Sequence, residues 1–265
     1  MKEHNILVLG MGKSGLAVAS LMERRGLSVD LYDEKARSEA DSSILGMERK
    51  NLHLIFSDDS FDFGDKDYDY CVISPGIPLD RPFVEKVKSL GIELLGEMEL
   101  SARYFPGLYV AVTGTNGKST TTSLVHHILK SAGKNSLLAG NIGEPLSSLV
   151  EESTEDMIGV LEVSSYQLET ANLFHPNVAA ITNITEDHLA RHKTMSEYIS
   201  LKKRIFMNQN EEDYVVLNYD DDILRGMAAE TKATVLFFST KAQVDGAYMT
   251  EDRLYLRRGE KIVNV

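Results

Sequence analysis

The sequence predicts an α/β protein built on parallel sheets and divided into two domains. Three observations carry that prediction. Short apolar, β-branched runs alternate with amphipathic helical stretches along the 265 residues, the order that gives parallel strands joined by right-handed crossovers. Two of the strand-to-helix junctions are glycine-rich, Gly10-Met-Gly-Lys-Ser-Gly15 and Gly114-Thr-Asn-Gly-Lys-Ser119. Hydrophobic residues make up 43% and charged residues 26% of the chain, which suits a globular protein long enough for one large core or two ordinary ones.

The first strand is read at 5–9. Gly10, Gly12 and Gly15 follow, opening a helix whose apolar positions are Leu16, Val18, Ala19, Leu21 and Met22. A second strand at 28–32 ends at Asp33. Gly-x-Gly-x-x-Gly in a βαβ unit, with an acidic residue about 20 positions on, is the dinucleotide fingerprint of a Rossmann-like domain. On these residues alone the ligand stays open between NAD(P), another nucleotide and none. A helix over 42–50 and strands at 52–56, 69–73 and 92–95 complete the domain. The 69–73 strand runs into Ser74-Pro-Gly-Ile-Pro78, at the strand end where open α/β sheets place ligands. Gly96 reads as the hinge between domains.

The second domain is organised around residues 108–130. An apolar run at 109–112 breaks into Thr113-Gly-Thr-Asn-Gly117, and a helix follows with Leu124, Ile128 and Leu129 on one face. Strand, glycine loop, lysine, hydroxyl residue and helix form the order a phosphate cradle requires. Lys118 reaches the outer phosphates and the Ser119 hydroxyl ligates Mg²⁺ in such a cradle. The loop is shorter than the common P-loop, which would place a glycine where Val112 stands. The bland alternative is a glycine turn with a solvated lysine.

Further strands are read at 136–139, 157–163 and 178–181. They end in Gly140-Asn-Ile-Gly143, in Glu162 with Ser164-Ser-Tyr-Gln-Leu168, and in Thr182-Asn-Ile-Thr-Glu-Asp-His188. Glu162 and His188 therefore fall at strand ends on the rim that also carries the phosphate loop. A carboxylate there is the expected partner of a phosphate-bound Mg²⁺. His4, His53, His126, His127, His175 and His192 lack such placement and receive no role. A helix over 195–208 carries Lys202, Lys203 and Arg204, which composition alone reads as a solvated basic face. Strands at 214–217 and 234–238 flank a helix over 221–229. The tail alternates as a single hairpin over 247–263, turning at Arg258-Gly-Glu260.

The net charge of −12 argues against a nucleic-acid-coating protein. Cys71, the only cysteine, reads as a buried thiol. With no secretory signal or bilayer-spanning run, the expectation is a cytoplasmic monomer, free of nucleic acid and membrane.

Five segments in order resemble the Mur ligase family, the ATP-dependent amide-bond-forming enzymes of peptidoglycan synthesis. They are Gly114-Thr-Asn-Gly-Lys-Ser-Thr120, Gly140-Asn-Ile-Gly143, Leu161-Glu-Val-Ser-Ser-Tyr-Gln-Leu168, Asn183-Ile-Thr-Glu-Asp-His188 and Tyr198-Ile-Ser-Leu-Lys-Lys-Arg204. The first glycine loop and Ser74-Pro-Gly-Ile77 are most similar to the branch that adds D-glutamate to UDP-N-acetylmuramoyl-L-alanine. The resemblance displaces the NAD reading. It implies a UDP-binding domain over 1–96 and an ATP-binding domain over 97–265. Gly12, Lys13, Ser14, Gly15, Asp33, Glu34, Ser74, Pro75 and Gly76 would hold the UDP part, with Asn141 near the pyrophosphate or metal. Gly114, Thr115, Asn116, Gly117, Lys118, Ser119 and Thr120 would hold ATP.

By the same resemblance, Lys118, Glu162, His188 and Lys202 are catalytic. Mg²⁺, two ions in this reading, would be bound by Ser119, Glu162, His188 and Lys202, the lysine being carbamylated by CO₂. The sequence departs from the family at Ala190, where many relatives have aspartate. Family members also continue past the final hairpin, so the chain is expected to lack part of the adenine site and a D-glutamate-binding third domain. Two functions follow: a ligase when complete, or a fragment that binds UDP-sugar or nucleotide without turnover. Little or no turnover is expected from these 265 residues alone.

Overall fold

The computed structural model describes residues 5–187 and 189–265. Contacts divide the chain into two compact units. The first runs to Phe105 and takes in Glu144–Ser153 and Glu169–Asn172; the second comprises Pro106–Gly143, Thr154–Leu168 and Leu173–Val265.

The first unit is built on β1 (Asn5–Leu9), β2 (Ser28–Asp33), β3 (Leu52–Phe56), β4 (Tyr70–Ile73) and β5 (Leu94–Gly96). All pair in parallel, in the order β3-β2-β1-β4-β5. Helices α1 (Lys13–Arg24), α2 (Ser42–Leu45), α3 (Pro82–Ser89) and α4 (Glu97–Ala102) connect them. Leu7, Val8, Leu9, Cys71 and Val72 are fully buried, as strands covered on both faces require. Burial also pushes the Cys71 thiol well above its usual pKa, which keeps it protonated and inert. The strand order reverses at β1, so the loops after β1 and β4 diverge and leave a crevice. Gly15 permits the close packing of α1 on this turn: a Cβ there would lie 1.9 Å from the Gly10 carbonyl oxygen.

One core residue of β2 is charged. Asp30, 2% exposed, accepts hydrogen bonds from Lys66 at 2.7 Å and Tyr68 at 2.6 Å and contacts the His53 ring at 2.9 Å. Burial works to raise its pKa, but these partners outweigh burial and hold the carboxyl below its usual range. Two details differ from the sequence reading. The helix expected over 42–50 stops at Leu45, because Gly46 caps it and the Arg49 amide instead donates to the Leu52 carbonyl at 2.9 Å. Gly96 ends β5 and caps α4, so the compact unit continues beyond it to Phe105.

The second unit contains β6 (Leu108–Thr113), β7 (Ser136–Gly140), β8 (Ile158–Glu162), β9 (Val178–Ile181), β10 (Tyr214–Asn218), β11 (Thr234–Ser239), β12 (Gly246–Thr250), β13 (Arg253–Arg258) and β14 (Lys261–Asn264). Their order is β14-β13-β12-β11-β10-β9-β6-β8-β7, with only the pairs β12–β13 and β13–β14 antiparallel. The helices after α4 are α5 (Lys118–Ser131), α6 (Leu146–Leu149), α7 (Ser165–Leu168), α8 (Leu189–His192), α9 (Met195–Lys203) and α10 (Asp222–Met227). Of these, α6 belongs to the first unit. There the buried Glu97 carboxylate accepts from both the amide and the hydroxyl of Ser147 at 2.8 Å. Because β6 lies between β8 and β9, three parallel strand ends open side by side.

Two expectations for this unit are corrected. Leu124 and Ile128 do not face the core of the unit but are 53% and 56% exposed. The inward stripe of α5 is Thr122, Val125 and Leu129, spaced i, i+3, i+7 but rotated from the one the apolar pattern suggested. The tail is a three-stranded antiparallel meander rather than one hairpin. Its extra turn uses Glu251 and Asp252, both in the left-handed region at φ 49° and 58°, a two-residue turn without the glycine that marks such turns in sequence. Among the described residues no helix is long and apolar enough to cross a membrane.

Candidate functional site

The end of β6 is shaped by glycine. Gly114 has φ +143°, and a Cβ there would lie 2.0 Å from Thr182 Oγ1, so no larger residue fits. Gly117, in the left-handed region at φ +81°, caps α5 and turns the chain into its first turn. The first intrahelical bond runs from the Thr121 amide to the Gly117 carbonyl at 3.0 Å. The amides of Lys118, Ser119 and Thr120 therefore precede the helical ladder, at the positive end of the helix dipole. Lys118 curls back over the loop, its Nζ donating to the carbonyls of Thr115 at 2.7 Å and Gly114 at 3.1 Å. Ser119 and Thr120 are exposed.

Glu162 stands at the end of β8, paired in register with Val112 of β6, and is 1% exposed. Its Oε1 accepts from Asn141 Nδ2 at 2.6 Å. Oε2 is buried and has no hydrogen-bond partner among the described residues. A buried carboxylate oxygen left in that state is costly unless a cation or donor joins it. A hard divalent ion held by this oxygen, a loop hydroxyl and ligand phosphates fits the donor chemistry. No cluster of three or more His, Cys, Asp or Glu side chains that could hold an ion occurs among the described residues.

Lys202 overturns the reading of a solvated basic face. It is 1% exposed, and its Nζ donates to Thr113 Oγ1 at 2.9 Å and the Gly114 carbonyl at 3.0 Å. Burial, with the nearby positive charge of Lys118, pulls its pKa down to about 7. Its neighbour Lys203 points away, to Glu230 at 2.6 Å. Lys118, Lys202, Asn141, Tyr198 and the turn Ser164–Tyr166 line a cavity of about 220 Å³. The second unit thus brings Lys118, Lys202 and Asn141 together, with Glu162 joined to them through Asn141. His188 lies outside the described residues.

In the first unit, Gly12, Asp33, Glu34, Ser74 and Gly76 line a second cavity of about 310 Å³, together with the apolar Tyr32, Ile77 and Phe83. Asp33 braces the glycine loop there: its carboxylate accepts from the Met11 amide at 2.8 Å and the Lys35 amide at 3.1 Å. Glu34 is ion-paired with Arg81, a partner the sequence did not suggest. Lys13 pairs with Glu144 at 3.3 Å; Lys13, Ser14, Gly15 and Pro75 are not among the lining residues. Asn141 belongs to the second unit.

Residues 112–265 match the model of the Mur ligase middle domain, and residues 4–96 that of the Mur ligase MurD-like N-terminal domain. The chain belongs to the Mur ligase family. It is 42% identical over 262 residues to UDP-N-acetylmuramoylalanine–D-glutamate ligase of Koribacter versatilis, covering 97% of this chain and 57% of that protein. Against the ligase of the same name from Caldanaerobacter subterraneus, identity is 41%, over all of this chain and 59% of the relative. The chain thus spans a little under three-fifths of the length of these relatives. Among solved structures, the fold is shared with UDP-N-acetylmuramate:L-alanyl-gamma-D-glutamyl-meso-diaminopimelate ligase from Neisseria meningitides, at a TM-score of 0.59 and 17% identity, covering 92% of this chain and 82% of that one.

Two residues around the loop carry more in this Mur-family chain than the sequence reading gave them. Tyr198 contributes its hydroxyl, 3.2 Å from Thr115 Oγ1, and its ring lies under Lys202. His192, assigned no role, is buried, stacks on Tyr198 and contacts Ser165 Oγ at 2.9 Å. Spacing was the available signal: Tyr198 opens one quoted motif, and His192 lies in the short stretch that links it to the motif ending at His188.

Proposed function

We propose that this chain carries the UDP-substrate-binding and ATP-binding parts of an ATP-dependent ligase that joins D-glutamate to UDP-N-acetylmuramoyl-L-alanine in peptidoglycan precursor synthesis. Residues 1–96 take the UDP part and 97–265 the ATP, in a cytoplasmic protein acting as a monomer. Identity near 40% to D-glutamate ligases supports the choice of substrates. The observation that carries the chemistry is local: a buried carboxylate oxygen of Glu162 without a partner among the described residues, next to a glycine loop, Lys118 and a buried Lys202.

In the reaction, the substrate carboxylate attacks the γ-phosphorus of ATP, giving an acyl phosphate and ADP. The D-glutamate amine then adds to the acyl carbon and phosphate leaves. An anion attacking an anion needs neutralising charge. The first-turn amides of α5 bind phosphate oxygens, and Lys118 exchanges its two loop carbonyls for the outer phosphates. Mg²⁺ would be held by Glu162 and Ser119, with His188 and Asn141 in support, and would supply charge neutralisation. Lys202 can react with CO₂ because its amine is substantially neutral near pH 7. The carbamate turns a cation into an oxygen donor, fit for a second Mg²⁺. In the first unit, the cavity behind Asp33 and Ser74 accepts the uridine end, with Tyr32 and Phe83 as its apolar wall.

The test is calorimetric titration of Mg·ATP into the chain and into Lys118→Ala. Loss of a charge-assisted contact to phosphate should weaken binding about 10- to 100-fold, with an unchanged circular-dichroism spectrum. Equal affinity in the two proteins overturns the phosphate-loop assignment.

A further inference from the structure

The segment after β9 grips the phosphate loop through one side chain that no role has yet absorbed. Asn183 Oδ1 accepts from the Asn116 amide at 2.9 Å, and its Nδ2 donates to the Asn116 carbonyl at 2.9 Å. Both faces of one peptide residue are thereby clamped by a single amide. The Asn183 carbonyl also accepts from the Thr115 amide at 2.9 Å. Neighbours reinforce the grip: Thr182 Oγ1 donates to the Asn116 carbonyl at 2.7 Å, and Thr115 Oγ1 exchanges hydrogen bonds with the Thr185 backbone at 3.0 and 3.1 Å. Asn116 itself is exposed, so no apolar packing holds its conformation and these hydrogen bonds must.

The consequence concerns which amides can meet a phosphate. Those of Thr115 and Asn116 point at Asn183 and are already satisfied, which leaves the phosphate-facing work to the amides that follow, from Gly117 into the first turn of α5. The Asn116 carbonyl is also tied back. Released, that peptide could rotate and present its carbonyl oxygen to the phosphates, repelling them. From this geometry we infer that Asn183 is a positioning residue: it sets the shape of the phosphate loop and so the affinity for polyphosphate, without touching the ligand. The inference rests on the reading of 114–120 as a phosphate cradle.

Leucine at 183 keeps similar bulk and removes both hydrogen bonds. Titrated with Mg·ATP and separately with magnesium tripolyphosphate, Asn183→Leu should bind each about tenfold more weakly than the wild-type chain. The equal loss locates the effect at the phosphates. A merely structural role would lower the melting temperature of the free protein and leave the affinity of the folded protein intact. Should Asn183→Leu not fold, Asn183→Ala carries the same test: it too removes both side-chain hydrogen bonds to Asn116 and brings no charge to the loop. Wild-type affinity for both probes in the folded variant, or a loss confined to ATP, overturns the inference while leaving the cradle standing. Absence of binding by the wild-type chain to either probe defeats the cradle reading, and the inference with it.

Discussion

Replacing Glu162 by glutamine tests the role of its buried carboxylate oxygen. In the wild-type chain Oε1 is held by Asn141 at 2.6 Å, whereas the buried Oε2 meets no donor among the described residues. Leaving a buried acceptor unpaired costs about 1–3 kcal/mol, and more when it is charged. Glutamine keeps the shape and the acceptor for Asn141 and removes the charge, although its own amide N–H₂ is also poorly matched there. The net gain without metal is therefore about 1 kcal/mol, or about 2–4 °C in melting temperature for a unit of this size. Mg²⁺ reverses the order. At a hundred times its dissociation constant, a bound ion adds about 2.7 kcal/mol to the wild type, and Glu162→Gln, without the anionic ligand, gains little. Scanning calorimetry of both proteins, with chelator and with Mg²⁺, reads the crossing directly. Two results refute the reasoning: a variant less stable than wild type in chelator, or the same Mg²⁺-dependent rise in both.

Two more predictions concern the same rim. Gly114→Ala places a methyl 2.0 Å from Thr182 Oγ1 on a backbone at φ +143°, so urea unfolding should show a loss of about 2–4 kcal/mol. For Lys202, burial with the Lys118 charge lowers the pKa from 10.5 to about 7. Between these limits the unfolded chain binds a proton that the folded chain does not, so stability rises with pH across that window. Urea unfolding at pH 7, 8.5 and 10 should show the rise, and Lys202→Met should flatten it. In ¹³C-bicarbonate, a carbamate carbon resonance should be present in the wild-type spectrum and absent from that of Lys202→Met.

Lys202 shows best where sequence reading reaches its limit. As one of three consecutive cations it looked solvated, and only a motif resemblance marked it out; the fold turns Lys203 out to Glu230 and buries Lys202 against Thr113 and Gly114. Helix α5 teaches the same lesson. Its existence and start were plain from the glycine loop, but its buried face was not, because an apolar stripe does not say which way the preceding turn delivers the helix. Nothing local in the sequence marks Asn183, since its partner Asn116 lies 67 residues away.

By itself the sequence determined the alternation of strands and helices, the two glycine turns and the strand-end positions of Glu162 and Ser74. These depend on local periodicity and on backbone conformations that glycine alone adopts easily. Tertiary structure alone decided which charges lose their water, which hydrogen bonds are left open and which loop amides remain to face a ligand. Such properties belong to the environment that distant segments create around a side chain, and no residue carries them along the chain.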